Sequence, residues 1–457
     1  MGEPRGNSVL TTGRVRTGMA SRVGFPANLL VLCTSVAFER AAYYGLQSIL
    51  ALYLAEVLVG EQGAEGIWLL PSLAAVIGTQ GLALAGVITG AFVSIAVLAP
   101  AIGGIVADRF IGLHRAILVG GAMMTAGHGL LILEAALLPA LAMIALGAGF
   151  FKGPVAARLS GLYEQDDPLR VEGFRLFYLA INIAGLLAPL VIGTLGERVH
   201  WHAGFAVSCA LMLAGLAIYG WRFAGSDGGK EQELSGEELT SESRSTDFLG
   251  LGILSLSLAL LTVPNAQLAN AYLLWVNEGF SRTLLGWELP ASWIIAADGL
   301  LSLFALAASG MFWRWRERNG EVVTAEAKAM LGALSVVGGV TLLVLAALLY
   351  GRSEVPVVWG LCFQFLNSLG LANVLPAAMA IFGQATIRRH AATAMAGFYL
   401  SLFAGGVAST WLASQFSTLA IATFWQLHLL FTLGGGLGLF LFRSHRSRLH
   451  TGSIVAD

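Results

Sequence analysis

Apolar runs of about 20 residues follow one another along most of the chain, which is the length that spans a hydrocarbon core. About twelve can be drawn, with approximate limits 26–56, 80–106, 115–136, 138–161, 174–195, 202–222, 248–275, 291–313, 328–350, 354–384, 391–413 and 420–442. They are continuously apolar, without the period-two alternation of a membrane barrel strand. Lipid offers no partner to a free backbone N–H or carbonyl, so each run is predicted to be an α-helix. Pro100, Pro154, Pro189, Pro264 and Pro376 fall inside these runs. Each removes a backbone hydrogen bond and is expected to bend its helix, although proline is also commoner in membrane helices than in soluble ones.

The polar intervals fix an orientation. With the N-terminus inside, the outer loops hold only Arg198, Arg282 and Arg352, Arg40 and Lys152 fall within spans, and the remaining Lys and Arg lie on the inner side. That asymmetry predicts an even number of spans and cytoplasmic termini, in a cell (inner or plasma) membrane. The stretch 224–247 is rich in Gly, Ser and Glu and reads as a solvated linker. It divides the chain into an N-terminal tail (1–24), a six-span bundle (25–223), the linker, a second six-span bundle (248–443) and a C-terminal tail (444–457). Two similar halves with a site between them are a transporter plan.

Composition excludes several classes. Hydrophobic residues make up 56% of the 457 and charged residues 12%, against roughly 25% charged in a soluble domain. The net charge of -1 gives no footprint for nucleic acid. Cys33, Cys209 and Cys362 are far apart in apolar runs, so buried thiols are expected, with no disulfide framework and no metal spacing. The first apolar run is too long for a cleaved signal and reads as a retained anchor. There is no phosphate loop, no nucleophile with a base and no metal-ligand cluster, so neither ATP-driven pumping nor an enzyme is expected, and no cofactor is called for.

The candidate chemistry is concentrated in 33–53, CTSVAFERAAYYGLQSILALY. A charge at the bilayer centre costs roughly 2.5–3.5 kcal/mol on insertion scales, so Glu39 and Arg40 are expected to face a cavity or a partner. Tyr43 and Tyr44 share the helical face of Arg40. The guanidinium fork suits a carboxylate, such as a peptide C-terminus; the alternative is an ion pair that locks the bundle. Adjacent helical residues diverge by about 100°, so Glu39 is expected to reach away from Arg40 toward Lys152, as a proton relay or as a fixed salt bridge. Tyr43, Tyr44 and Tyr178 offer faces and hydroxyls to a ligand, or pack between helices. Asn182 either lines a pocket or joins two helices. Asp298, in the eighth run, is a candidate for a ligand's amino end or for a proton, or else a vestibule residue. His128 and Glu134 are weak candidates, and Arg314, Arg316 and Arg318 read as an inner-leaflet anchor.

Four stretches resemble the proton-dependent oligopeptide transporter (POT, or PTR) family of the major facilitator superfamily. Phe38-Glu39-Arg40-Ala41-Ala42-Tyr43-Tyr44-Gly45 is similar to the later part of its E-x-x-E-R-F-x-Y-Y-G signature. Gly103 to Gly112, GGIVADRFIG, is similar to its G-G-x-x-A-D-R-x-x-G motif. Gly147 to Lys152, GAGFFK, followed by Gly161-Leu162-Tyr163, is the third. Gly173 to Asn182, GFRLFYLAIN, followed by Ala188-Pro189, is similar to G-F-x-x-F-Y-x-x-I-N. Order and spacing fit over 33–195, and the second half resembles the family only loosely.

The resemblance implies a major-facilitator-type fold of two six-helix bundles. It also implies proton-coupled uptake of di- or tripeptides, or related small zwitterions, by alternating access. Substrate would bind at Arg40, Tyr43, Tyr44, Lys152, Tyr178, Asn182 and Asp298; protons would be carried by Glu39, Lys152 or Asp298; Gly104, Asp108 and Arg109 would form a conformational latch. The chain also departs from the family. The first glutamate of the signature is replaced by Val36 and a span-two tyrosine by Val97. Span ten has no acid, with Gly370 near the usual glutamate and Asn367 and Asn373 close by, and span seven keeps only Pro264-Asn265-Ala266-Gln267. Asp298 stands where the family usually has asparagine. The alternatives are a carrier of another small metabolite or anion with altered or absent coupling, and a non-transporting membrane subunit or sensor.

Overall fold

The computed structural model describes residues 27–60, 65–163, 169–223, 247–284, 286–321, 323–384 and 391–454. The predicted N-terminal tail, most of the 224–247 linker and the last residues of the chain lie outside this set, as does the side chain of Asp108. In the N-terminal half α1 is Ala27–Val59, α2 Leu70–Ile77, α3 Gly81–Val106, α4 Leu113–Leu130, α5 Leu137–Ser160, α6 Leu169–Ala188, α7 Thr194–Arg198 and α8 Trp201–Phe223. In the C-terminal half α9 is Phe248–Ala266, α10 Ala271–Gly279, α11 Trp293–Arg318, α12 Ala325–Tyr350, α13 Val357–Gln384, α14 Ala391–Ala413 and α15 Ile421–Ile454. Ten of the described helical runs are long and apolar enough to cross a membrane. α4, whose first turn carries His114 and Arg115, and the apolar stretch Gly397–Ala413 of α14 pack among them. All-α architecture in two packed bundles is thus as the hydrophobic runs predict.

Several boundaries differ from the sequence reading. The third run ends at Leu130, and Glu134 opens an exposed 3-10 turn before α5. Glu134 is therefore a loop residue, because a carboxylate is better hydrated at the turn than in a span. The seventh run is broken at 267–270, just beyond Pro264. Pro189 opens a π-type turn, Pro189–Gly193, that joins α6 to α7. The last helix continues past 443 to Ile454. Cys362 lies on an exposed face of α13, whereas Cys33 is buried and Cys209 half-buried; all three are free.

Each half has its own core. One apolar cluster is built from Leu29 to Phe223; another from Leu254 to Phe442; a third, again mostly C-terminal, takes in Ala51 and Leu52 of α1. Glycine brings backbones together within the first half. A Cβ on Gly103 would lie within the α5 backbone, on the Gly149 carbonyl, and one on Gly120 would lie 2.6 Å from the Gly147 carbonyl oxygen. In membranes such close approach replaces hydrophobic burial as the source of helix–helix affinity.

α3 packs on α14 and α6 on α11, and so the halves meet. At the end away from the arginine-rich loops, hydrogen bonds join them. Asn270 donates to the Gly86 carbonyl at 3.0 Å, Trp293 Nε1 to Thr194 Oγ1 at 2.9 Å, and Arg198 to the Glu288 carbonyl. A two-strand ladder, Phe280–Ser281 against Val355–Pro356, and a hairpin, Thr283–Leu284 against Trp287–Glu288, cover that end of the second half.

At the opposite end Asp247 caps α9. Its carboxylate accepts from the Gly250 N–H at 2.9 Å and pairs with His445 of α15 at 3.0 Å. Partial burial pushes this carboxyl up, but the Gly250 and His445 hydrogen bonds outweigh it and the net shift is downward. A carboxylate depressed in the folded state stabilises above its ordinary range, and that contribution is lost as pH falls through the folded value. Asp247→Asn is therefore expected to lower the thermal midpoint slightly at neutral pH and not at all once acid has protonated the wild-type group; thermal melts across pH 2–7 check this.

Candidate functional site

α1 runs unbroken through its two charges because the stretch contains no proline or glycine before Gly45. Arg40, Tyr43 and Tyr44 therefore stack along one side. The guanidinium carbon lies 5.3 Å from the Tyr43 ring centre and 5.7 Å from that of Tyr44. The two rings meet edge to face, 5.7 Å apart. Lys152 arrives from α5, with its ammonium 4.3 Å from the Tyr43 ring centre. One tyrosine thus serves two cations from two helices, and cation–π contact strengthens as water is removed. Phe92 of α3 packs against the same ring at 5.8 Å.

The expected Glu39–Lys152 contact does not form. Glu39, 1% exposed, is gripped through both oxygens by Nε and Nη2 of Arg40, 7% exposed. The 100° divergence governs Cβ atoms, but these two side chains are long enough to curl back and meet at their tips. A buried pair of this kind is strongly destabilised if one partner is removed, by about 3–5 kcal/mol. Among the described residues Lys152 has no carboxylate within ion-pair distance, so it leaves the N-terminal cluster with a net positive charge.

Tyr178 and Asn182 belong to a neighbouring place. With Phe174, Arg175 and Leu179 of α6 and Leu303 and Leu306 of α11 they line an open apolar groove of about 640 Å³ between the halves. Tyr178 is 61% exposed. Asn182 spends one amide hydrogen on the Tyr178 carbonyl of its own helix at 2.7 Å. Tyr44 connects the two places. Its ring lies 3.5 Å from where a Gly185 Cβ would stand, and a Cβ on Gly299 of α11 would stand 3.4 Å from the Gly185 carbonyl oxygen. α1, α6 and α11 are thus in ordinary van der Waals contact there.

Asp298, one residue before Gly299, accepts from Ser368 of α13 at 3.3 Å, and Ser368 meets Ser302 at 2.9 Å. Polar contacts extend from here along α13: Asn367 donates to Asn265 at 3.0 Å, and Gln364 to the Ile294 carbonyl at 3.0 Å. Asn373 accepts from Ser309 and Trp313. In the broken seventh span Gln267 donates to the Ser409 carbonyl at 2.8 Å and accepts from Ala271 N–H. Asn265, Gln267, Asn367 and Asn373 stand out in the sequence as the polar residues left in spans seven and ten, whereas Gln364 and the serines do not, since small polar residues in apolar runs are common. The spacing of Gln364 and Ser368, one turn apart, is the one available signal.

The latch residues separate. A Cβ on Gly104 would meet nothing, whereas Gly103 makes the close contact with α5. Arg109 is exposed, on a π-type turn, Ala107–Ile111, at the end of α3. His128 is buried, and neither ring nitrogen has a hydrogen-bond partner among the described residues.

A model of the POT family matches residues 114–245. The di-/tripeptide transporter of Lactococcus lactis subsp. cremoris is 35% identical over 199 residues, 43% of this chain and 37% of that protein. The uncharacterized transporter YclF of Bacillus subtilis is 30% identical over 248 residues, 53% of this chain and 46% of that one. The family model thus covers less than a third of the chain. The matches span less than half the length of these curated relatives. POT structures share the fold over nearly the whole chain. A crystal structure of peptide transporter POT in complex with sulfate superposes with a TM-score of 0.78 at 22% identity, covering 94% of this chain and 96% of that one. A POT family transporter in complex with 5-aminolevulinic acid gives 0.75 at 18% identity, covering 92% and 97%.

Proposed function

We propose that this protein is a secondary carrier of the POT type that takes up di- or tripeptides, or related small zwitterions, by alternating access and coupled to protons. The observation that carries this reading is the cluster of Arg40, Tyr43, Tyr44 and Lys152, in which two cations from different helices share one tyrosine face inside the N-terminal bundle. The relatives named as di-/tripeptide transporters support the same cargo class.

Lys152, without a carboxylate of its own, receives the ligand carboxylate first. Arg40 has further N–H groups beyond the two given to Glu39 and can add to that contact. A proton arriving on Glu39 weakens its hold on Arg40 and frees the guanidinium for substrate. Tyr178 and Asn182 face the open apolar groove and accommodate side chains. Asp298, held by Ser368, is the acid of the second half and stands in for the carboxylate missing from span ten. Gly104, Asp108 and Arg109 are the proposed conformational latch at the end of α3, with Gly103 supplying the close packing beside it. The two bundles, 25–223 and 248–443, rock about the site in the cell (inner or plasma) membrane with both termini cytoplasmic, as the basic loops favour.

Liposome flux tests this reading. Alanyl-alanine uptake is expected to rise several-fold with an inward proton gradient, and Glu39→Gln and Asp298→Asn are each expected to remove most of that rise. Uptake that ignores both the gradient and the substitutions would end the coupled model. The missing span-ten acid and the uncompensated Lys152 favour one second reading, a carrier of a small anionic metabolite with weak coupling; it predicts anion flux without a gradient.

A further inference from the structure

α11 carries Asp298, and its first turn is capped from the other half of the molecule. Ser292 is the residue before the helix, but its hydroxyl makes no capping bond and has no hydrogen-bond partner among the described residues. The cap comes from Glu197 of α7. One carboxylate oxygen accepts from Ala291 N–H at 2.7 Å and the other from Ser292 N–H at 2.8 Å. Both N–H groups point out of a helix N-terminus, where the aligned backbone dipoles favour an anion. Bonds to an ionised acceptor are about twice as strong as neutral ones.

The surroundings hold Glu197 in place. Gly193, one turn earlier, lets Ser292 approach so closely that a Cβ there would overlap its hydroxyl. Trp293 donates to Thr194 at 2.9 Å, and Arg198 donates to the Glu288 carbonyl. All of these contacts pass from the N-terminal half to the C-terminal half, at the end away from the arginine-rich loops.

We infer that Glu197 is a positioning residue for transport. Its carboxylate is the bolt of the outer gate, closing it by capping α11 across the two halves. Opening that end must pull α7 away from α11, which leaves two N–H groups and one carboxylate without their partners at once. The bolt also sets the placement of the helix that holds Asp298. The inference rests on the alternating-access reading and is independent of cargo.

Distances between spin labels test it without any flux measurement, so failure of peptide uptake would not decide it. Labels at Ser72 and Ser353, both exposed at this end of opposite halves, are introduced with Cys33, Cys209 and Cys362 replaced. The parent protein is expected to show mainly one short distance. Glu197→Gln, which keeps one acceptor and sets an NH2 against an N–H, is expected to raise the ratio of long to short distances at least five-fold. Glu197→Asp is expected to restore part of the short population. Ser292→Pro deletes one donor from the other half, at a φ of −60° that suits the ring. It is expected to shift the distances in the same direction, and the double variant to shift them no further than the larger single effect. An unchanged distribution in folded Glu197→Gln, or additive effects in the double variant, overturns the inference; should Glu197→Gln not fold, an unchanged distribution in Ser292→Pro does so.

Discussion

Arg40→Ala is expected to abolish the thermal shift produced by a dipeptide and to cut its uptake by about 100-fold or more, the loss of one charge-assisted contact plus the stranding of Glu39. The second effect matters as much as the first. Glu39 is buried and both its oxygens are held by Arg40, so removing the guanidinium leaves an anion without its partner. Pairing the substitution with Glu39→Gln separates the two contributions. The double variant is expected to recover stability without recovering uptake. Arg318→Ala, at the exposed end of α11, is expected to change neither readout. A ligand shift needs no assumption about mechanism, since anything that binds the folded form stabilises it by mass action. Equal responses from Arg40→Ala and Arg318→Ala would remove Arg40 from the site.

Gly103→Val is expected to destabilise the N-terminal bundle severely, while Gly104→Ala is expected to be neutral. The added carbon at Gly103 would sit on the Gly149 carbonyl and 2.8 Å from the Phe150 nitrogen. Overpacking a core typically costs about 1–3 kcal/mol and sometimes more. Here the obstructing atoms are backbone and cannot turn aside, so α3 and α5 must separate. At Gly104 a Cβ meets nothing within 4 Å. Thermal melts in detergent, with yield of monodisperse protein as the second measure, distinguish the neighbours. Equal behaviour of the two variants would mean that the α3–α5 contact contributes little.

The spacing of the apolar runs in the sequence already gives the helices, because a bilayer imposes one length and one backbone solution on each span. The turn at Glu134 was missed, because the apolar residues around it carried the third run on to 136 although α4 ends at Leu130. The cation–aromatic face of α1 was readable, since Arg40, Tyr43 and Tyr44 are neighbours in the chain and the helix period brings them together. What failed was reach. The divergence of adjacent residues suggested that Glu39 would leave Arg40, but side-chain length and the arrival of Lys152 over Tyr43 settled the pairing otherwise.

The sequence by itself determined the all-helical membrane architecture, the division into two bundles and the identity of the charged residues that must find shelter, because these follow from hydropathy and local period. Only the tertiary structure decided which groups meet. It put the close approach at Gly103 and not Gly104, gave Asp298 to Ser368, and brought Glu197 to the mouth of a helix in the other half. Such contacts join residues about 50 to 100 positions apart, so they depend on how whole helices pack and leave no local pattern to read.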